Sequence, residues 1–240
     1  MRIAVTSPGA VPVFKAVARG VEVVEAPVVQ LVENRVDVAA VVEALGLCDA
    51  VVFATGRAAY RVAEELKAAG VYERARELVA RMRLATVEGE KGAVMVQNAF
   101  GVRPAVVAST VEEFRLEGCR CAVVFHYGAR DEELLARVGC KHLEFFPYKA
   151  LPSGVDVIER ALSADLVVFT SALAVRYFAE VGGPRAVEEL RRRLVVAGGP
   201  GVSKALAKLD IPHITAPSGR LGPLAQYVMK LAAGKDWKKN

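Results

Sequence analysis

Short apolar runs alternate along the chain with longer stretches in which apolar positions recur at helical spacing. The runs are apolar throughout, a pattern typical of parallel strands that helices cover on both faces. Strands are predicted at 2–6, 21–25, 50–53, 84–87, 105–108, 122–125, 140–145, 166–169, 194–197 and 213–216. Helices are predicted at 57–69, 72–81, 131–138, 173–181, 186–193, 203–209 and 224–232. The pattern predicts an α/β fold built on parallel sheets.

Several strand–turn–helix segments occur twice in the sequence. Each copy begins as a buried strand and continues into a turn of small residues. The matched pairs are 49–58 with 165–174, 84–89 with 194–199, 102–109 with 211–218, and 4–27 with 122–147. A repeat on this scale indicates two similar α/β units, and we expect a cleft between them.

Composition places the chain among ordinary globular proteins, with 53% apolar and 25% charged residues. The longest uncharged runs fall far short of the roughly 18 to 20 apolar residues that a membrane-spanning helix needs. Ser7, Pro8 and Gly9 interrupt the apolar start, which does not fit a signal peptide. We therefore expect a cytoplasmic protein with no membrane partner.

The net charge of +5 comes from 32 basic and 27 acidic residues. Four lysines and one aspartate between 230 and 240 supply +3 of it (4 − 1), which leaves +2 for the rest of the chain. A duplex-binding protein usually carries a dense basic stripe, so this weak surplus argues against nucleic acid as a partner.

No metal or cofactor motif is found in the sequence. Cys48, Cys119, Cys121 and Cys140 have neither zinc-site nor CxxC spacing, and we expect them to be small buried hydrophobes. The three histidines have no partners at metal-ligand spacing. The GxGxxG, Walker A, GxSxG and HExxH patterns are all missing, so we expect neither a metal nor a cofactor.

Turns rich in hydroxyl and small residues follow several predicted strands. In a parallel sheet these turns lie at the carboxyl edge, where backbone N–H groups and helix N-termini can meet an anion. For any single turn, good capping and turn formation is a somewhat better explanation than binding, whereas six such turns at the same sheet edge favour binding. The candidate substrate-binding residues are Ser7, Thr55, Gly56, Arg57, His126, Tyr127, Gly128, Thr170, Ser171, Ala172, Gly199, Gly201 and Ser203. Glu88 and Glu90 lie in a charged turn, and we expect both to be solvated.

The order and spacing of these motifs resemble the uroporphyrinogen-III synthase family over nearly the whole chain. The resemblance is carried by Val-Val-Phe-Ala-Thr at 51–55 and by Val-Val-Phe-Thr-Ser-Ala-Leu-Ala-Val at 167–175. Phe-Pro-Tyr-Lys-Ala-Leu-Pro at 146–152 and Ala-Gly-Gly-Pro at 197–200 add to it. Two positions depart from the family, which often has a threonine where this chain has Val202 and, in the first half, near Gly92.

The resemblance implies two flavodoxin-like domains joined by two antiparallel linker segments. One domain would comprise 1–26 and 152–240, and the other would be inserted at 35–146, with linkers at 27–34 and 147–151. The tyrosine that the family uses in catalysis falls on Tyr148. The implied protein is a monomer without a cofactor.

The implied reaction closes hydroxymethylbilane into uroporphyrinogen III. The substrate loses its hydroxyl as water, the terminal pyrrole attacks the resulting azafulvene at its substituted carbon, and the spiro intermediate rearranges with that ring inverted. Positioning and a single acid suffice for such chemistry. The alternative is a non-catalytic two-domain protein that binds or senses an anionic small molecule, and turnover distinguishes the two.

Overall fold

The computed structural model of the chain describes residues 1–7 and 9–234. The strands are β1 (Arg2–Val5), β2 (Glu22–Glu25), β3 (Val29–Glu33), β4 (Ala50–Phe53), β5 (Arg83–Thr86), β6 (Val106–Val107), β7 (Cys121–Phe125), β8 (Lys141–Phe145), β9 (Tyr148–Pro152), β10 (Leu166–Phe169), β11 (Leu194–Ala197) and β12 (Ile214–Thr215). The helices are α1 (Val11–Val17), α2 (Val38–Leu47), α3 (Gly56–Ala68), α4 (Tyr72–Ala80), α5 (Gly89–Phe100), α6 (Glu132–Val138), α7 (Val155–Leu162), α8 (Ala172–Leu190), α9 (Pro200–Ala207) and α10 (Leu221–Ala233).

The chain divides into two compact units. Unit 1 comprises Met1–Gln30 and the chain from Leu151 onward, and unit 2 comprises Leu31–Ala150. The proposed domain limits and linkers stay a prediction; residues 235–240 lie outside the described part of the chain.

Unit 1 contains a five-stranded parallel sheet in the order β12-β11-β10-β1-β2. The central strand β10 is buried at every position because helices cover both faces of the sheet. Phe169 and Phe178 pack on one face and Phe14 on the other, so each face has its own apolar cluster. This arrangement agrees with the continuous apolar runs of the sequence.

Unit 2 contains a second five-stranded parallel sheet in the order β6-β5-β4-β7-β8. Its central strand β4 is also wholly buried. The rings of Phe53, Phe100 and Phe125 stack on one face, with centroids 5.3 Å and 4.9 Å apart for the two pairs that include Phe53. Apolar side chains around Phe114 fill the other face.

The sequence repeat is confirmed by the order of the strands in the two sheets. Strands β4, β5 and β6 of unit 2 stand in the same relation as β10, β11 and β12 of unit 1, and β7 and β8 correspond to β1 and β2. The order along the chain differs. The two strands on one side of the sheet come first in unit 1, as β1 and β2, and last in unit 2, as β7 and β8. The predicted fold class, α/β with two similar parallel sheets, is confirmed.

Strands β3 and β9 pair with each other in a separate two-stranded sheet. Asn34 N donates to Pro147 O over 2.9 Å, and Ser153 N donates to Val28 O over 3.0 Å. Residue numbers rise along one strand as they fall along the other, so the pair is antiparallel. In this register Glu33 stands directly opposite Tyr148.

The four cysteines are disulfide-bonded, which corrects the expectation that they are small buried hydrophobes. Cys48 bonds Cys121 and Cys119 bonds Cys140. Both bonds lie in unit 2, at the amino ends of β4, β7 and β8. The sequence spacing alone did not reveal them because the partners are 73 and 21 residues apart.

Candidate functional site

At one place on the carboxyl edge of each sheet, the connections that follow two neighbouring strands run in opposite directions. In unit 2 this point lies between the neighbouring strands β4 and β7, and in unit 1 between β10 and β1. Such switch points open a crevice between the two departing connections, where ligands bind in parallel α/β sheets. Thr55 and Tyr127 follow the two strands in unit 2, and Thr170 and Thr6 follow those in unit 1.

The turn after β7 packs directly against the strands β3 and β9. Ala150 N donates to Gly128 O over 3.0 Å. Gly128 has a φ of 90°, and a Cβ there would lie 2.5 Å from Leu31 Cδ2 and 3.1 Å from Ala150 Cβ. Only glycine fits so close an approach with this backbone. The glycine thereby lets the turn bring Tyr127 next to Tyr148.

Tyr148 lies half-buried at the start of β9, in contact with Tyr127. The two rings meet edge to face, with centroids 5.3 Å apart and planes at 70°. Within the described part of the chain, the Tyr148 hydroxyl makes no hydrogen bond to another residue. Its proton is therefore available to a ligand.

The surroundings of Tyr148 keep its hydroxyl protonated at neutral pH. Burial raises the pKa of Tyr148 above its ordinary value of 10.0, and Tyr127 and Glu33 raise it further. The positive charges of Arg57 and Arg61 oppose this rise without cancelling it. Tyr148 can therefore act as an acid but not as a base near neutral pH.

Arg57 is exposed at the start of α3 and connects the turns after β4 and β7. Its Nη1 donates to the Tyr127 hydroxyl over 3.3 Å. This hydrogen bond raises the pKa of Arg57, and Glu88 and Tyr148 contribute to the rise. A cation here opposes the dipole of α3, which fits a residue that meets anions.

Glu88 is bound to the amino terminus of α3, which corrects the expectation that it is solvated. Gly56 N donates to Glu88 Oε2 over 2.8 Å. Thr55 caps the same helix, since its Oγ1 accepts from Ala58 N over 3.2 Å. A carboxylate of the chain itself thus occupies the position where an anionic ligand was predicted.

His126 is completely buried directly after β7. Its Nε2 lies 2.9 Å from Glu144 Oε2, and its ring stacks on Phe146 with centroids 4.7 Å apart. Arg130 also binds Glu144, with Nε 2.9 Å from Oε2. The imidazole therefore supports the segment that leads to Tyr148, and its side chain has no exposed surface for a ligand.

The predicted residues of unit 1 line the carboxyl edge of the other sheet. Ser171 caps α8, since its Oγ accepts from Ala174 N over 3.1 Å. Ser203 Oγ lies 2.7 Å from His213 Nε2 and accepts from Thr215 Oγ1 over 3.1 Å. Its hydroxyl is thus held by internal partners. The other predicted residues here are Ser7, Thr170, Ala172, Gly199 and Gly201.

The structure brings seven predicted residues together in unit 2. They are Thr55, Gly56, Arg57, His126, Tyr127, Gly128 and Tyr148. Three charged neighbours were not predicted for this site: Glu33, Arg61 and Glu88. The position of Glu88 directly after a strand was the same signal that singled out the others. Arg61 is one helical turn beyond Arg57, and its Nη1 lies 3.4 Å from Glu33 Oε2.

Neither a metal cluster nor a membrane-spanning helix is found in the part of the chain that the structure describes. Among residues 1–7 and 9–234, no group of three or more His, Cys, Asp or Glu side chains could hold a metal ion. In the same residues, every helix is too short or too polar to cross a bilayer.

The comparisons with known proteins agree on one family. The family model described as uroporphyrinogen-III synthase HemD matches residues 13–226. A mutant uroporphyrinogen III synthase from the bacterium Thermus thermophilus is 25% identical, with a TM-score of 0.68 over 98% of this chain and 100% of that one. The enzyme from Helicobacter pylori shares the fold at 13% identity, with a TM-score of 0.59 over 96% of this chain and 100% of that one. No curated protein matches the chain.

Proposed function

The chain belongs to the uroporphyrinogen-III synthase family, and from that premise we propose how its own residues close hydroxymethylbilane into uroporphyrinogen III with loss of water. The main support for this function is the family match, which spans residues 13–226. The observation that supports the site is the protonated, half-buried Tyr148 beside Tyr127 and Arg57.

Tyr148 acts as the acid that helps the substrate hydroxyl to leave. Its O–H donates a proton to the departing hydroxyl, the C–O bond breaks and water is released. The terminal pyrrole attacks at its substituted carbon, which carries no hydrogen, so its ring loses a proton and regains aromaticity only after the spiro intermediate has rearranged. That proton balances the one that Tyr148 gave, so the enzyme ends the cycle as it began. The raised pKa of Tyr148 supports this role because the phenol is protonated before the reaction starts.

Arg57 helps to hold the substrate through its carboxylate groups. The guanidinium is exposed, and its hydrogen bond to Tyr127 orients it at the same turn that contacts Tyr148. A substrate carboxylate on Arg57 would therefore place a pyrrole ring close to the acid. Orientation of this kind lowers the barrier of a cyclisation by removing unproductive conformations.

The turns of unit 1 also carry groups suited to bind carboxylates. Thr170 and Ser171 precede the amino terminus of α8, a helix whose dipole favours negative charge. Gly199 and Gly201 border the start of α9, where backbone N–H groups lack helical partners. We infer that the active species is the monomer, since one chain carries all of these groups.

A Tyr148→Phe variant tests the assignment of the acid. The substitution removes one hydroxyl that has no internal hydrogen bond, so the protein should fold normally. We expect kcat to fall by about 10²- to 10⁴-fold with little change in KM, because a positioned general acid contributes about that much. The residual product should still be mostly the inverted isomer, since the groups that orient the substrate remain.

The matched control is Tyr60→Phe, which removes a hydroxyl from an exposed tyrosine of α3. This variant should keep the wild-type kcat. Full activity of Tyr148→Phe would show that water or the substrate's own carboxyl groups supply the proton. A binding protein without activity would show no turnover in any of the three forms.

A further inference from the structure

We propose that Glu88 is a specificity-determining residue that competes with external carboxylates for the amino terminus of α3. In the free protein the Glu88 carboxylate occupies the amino terminus of α3 and so excludes small free acids. Only a carboxylate of a larger ligand, held in place by that ligand's other contacts, displaces it. The proposal rests on the proposed function only in taking that larger ligand to be the tetrapyrrole substrate.

The first observation is the position of the Glu88 carboxylate. Its Oε2 accepts the N–H of Gly56, the first residue of the 13-residue helix α3, over 2.8 Å. Its charge also contributes to the raised pKa of Arg57 on the same turn. A helix amino terminus and an arginine together make the surroundings that a ligand carboxylate would prefer. Here the chain provides that carboxylate itself.

The second observation is a buried hydroxyl without a partner beside the same carboxylate. Thr86 is completely buried, and its Oγ1 finds no hydrogen-bond partner in the described part of the chain. A Cβ on Gly92 would lie 3.1 Å from Thr86 Oγ1 and 3.5 Å from Glu88 Oε2. Both oxygens therefore lie on the side of Gly92 to which a Cβ would point. The Thr86 hydroxyl thus keeps an unused hydrogen-bonding group beside the Glu88 carboxylate.

Gly92 is what allows Glu88 to lie there. A Cβ at position 92 would come within 2.6 Å of Glu88 Cβ, a distance that real Cβ contacts do not show. Any larger residue at position 92 would displace the Glu88 side chain. The chain thus combines a glycine and a glutamate so that the carboxylate can fold back onto α3.

The corresponding place in unit 1 carries no carboxylate. In the repeat, Gly198 stands where unit 2 has Glu88, and a Cβ there would lie 3.0 Å from Phe169 O. The amino terminus of α8 therefore has no internal competitor from this position. A carboxylate therefore lies at the amino terminus of α3, whereas the equivalent position supplies none at that of α8. This difference assigns the selection against small acids to unit 2.

Citrate binding tests the competition directly and requires no turnover. Calorimetry would give its affinity, and the amide resonance of Gly56 would report the place of binding. We expect Glu88→Ala to bind citrate about tenfold more tightly than wild type, as expected when a charge-assisted hydrogen bond becomes available. The Gly56 amide should shift with citrate in the variant and not in the wild type.

Glu90→Ala is the matched control, since Glu90 is an acidic residue of the same turn that binds Arg103 over 2.7 Å instead of a helix amide. It should bind citrate as the wild type does. Equal affinities for wild type and Glu88→Ala would overturn the proposal, and so would an equal gain in Glu90→Ala. Should Glu88→Ala fail to fold, Glu88→Gln removes the charge while keeping an oxygen acceptor, and it should shift citrate affinity in the same direction; no change there would also overturn the proposal.

The failure of this proposal and that of the proposed function are distinguishable. Loss of the citrate effect with normal turnover of hydroxymethylbilane would remove only the role of Glu88. Absence of turnover with the citrate effect intact would remove the synthase function and leave Glu88 as the residue that controls access of anions to α3. In an active enzyme, Glu88→Ala should lower KM for hydroxymethylbilane with little effect on kcat, because a competing carboxylate has been removed.

Discussion

Arg57 has two internal neighbours of different kinds, the hydroxyl of Tyr127 and the carboxylate of Glu88. The exposed guanidinium keeps donors that neither neighbour uses, because Arg has five N–H groups and only one hydrogen bond to Tyr127 is present. A ligand carboxylate at this site would therefore be attracted by the charge of Arg57 and repelled by that of Glu88. The net effect on a bound carboxylate depends on how much salt screens them.

Arg57→Ala should raise KM for hydroxymethylbilane more than it lowers kcat. An exposed ion pair contributes about 0.2–1 kcal/mol, so we expect roughly a two- to fivefold increase in KM at low ionic strength. The effect should shrink at high salt. Steady-state kinetics at two salt concentrations measures both, with Arg74→Ala on α4 as an exposed control. An unchanged KM at low salt would exclude Arg57 from the site.

His126 makes the stability of unit 2 depend on pH. Burial lowers the pKa of His126 below its ordinary value of 6.5, and the hydrogen bond to Glu144 opposes this only in part. The folded protein then binds this proton less readily than the unfolded chain does. The resulting stability is fully present above pH 6.5 and is lost as the pH falls through the lowered pKa.

The free energy of unfolding should therefore decrease as the pH falls below 6.5, and His126→Phe should reduce that decrease. Phenylalanine keeps the stacking on Phe146 and removes the titrating group. Urea unfolding at pH 7, 6 and 5 measures the slope in both proteins. An identical slope in the variant would assign the acid sensitivity to other groups.

At the scale of helices and strands, local sequence predicted most of the architecture. Strands β4 and β10 match their predicted limits because each is a continuous apolar run between polar residues. Helix α2 was not predicted, since its sequence VAAVVEALGL is apolar on nearly all sides and shows little helical periodicity. The break predicted between the helices 173–181 and 186–193 appears within α8, where Gly183 has a φ of 65° before Pro184.

The disulfides constrain the amino ends of the strands in unit 2, whereas the candidate site lies at the carboxyl ends. The loop closed by Cys48 and Cys121 has a sequence separation of 73 residues. In the chain-entropy model, closing a loop of this length stabilises the folded state by about 4 kcal/mol. Unit 1 contains no cysteine and gains nothing comparable.

Replacing Cys48 and Cys121 together by serine should lower the free energy of unfolding of unit 2 by up to about 4 kcal/mol. Hydrogen exchange should show faster exchange in β7 and β8 than in wild type, with β1 and β10 unchanged. Reductant, which also breaks Cys119–Cys140, should have at least as large an effect on the wild-type protein. Equal exchange rates in the oxidised and reduced protein would contradict a stabilising role.

Contacts between residues distant in the sequence are the part of the site that the sequence does not predict. The turns were predictable because each follows a buried strand. The hydrogen bonds from Arg57 to Tyr127 and from Gly56 to Glu88 join residues 70 and 32 positions apart. Such pairs depend on strand order and register, which a single sequence leaves open. For this reason the sequence pattern indicated a solvated Glu88.

At the scale of the whole molecule, the chain uses one sheet plan twice with two different chain orders. The order β2-β1-β10-β11-β12 in unit 1 becomes β8-β7-β4-β5-β6 in unit 2. The two copies have diverged in chemistry. Unit 2 has the paired tyrosines, the arginines and Glu88, whereas unit 1 has uncharged hydroxyl and glycine turns.

The central claim is that this chain closes hydroxymethylbilane with inversion of one ring. The most direct measurement supplies hydroxymethylbilane made in situ, oxidises the products to porphyrins and separates the isomers by chromatography. We predict mainly uroporphyrin III in the presence of the protein and uroporphyrin I, from uncatalysed direct closure, in its absence. The same proportion of uroporphyrin I with and without the protein would contradict the account.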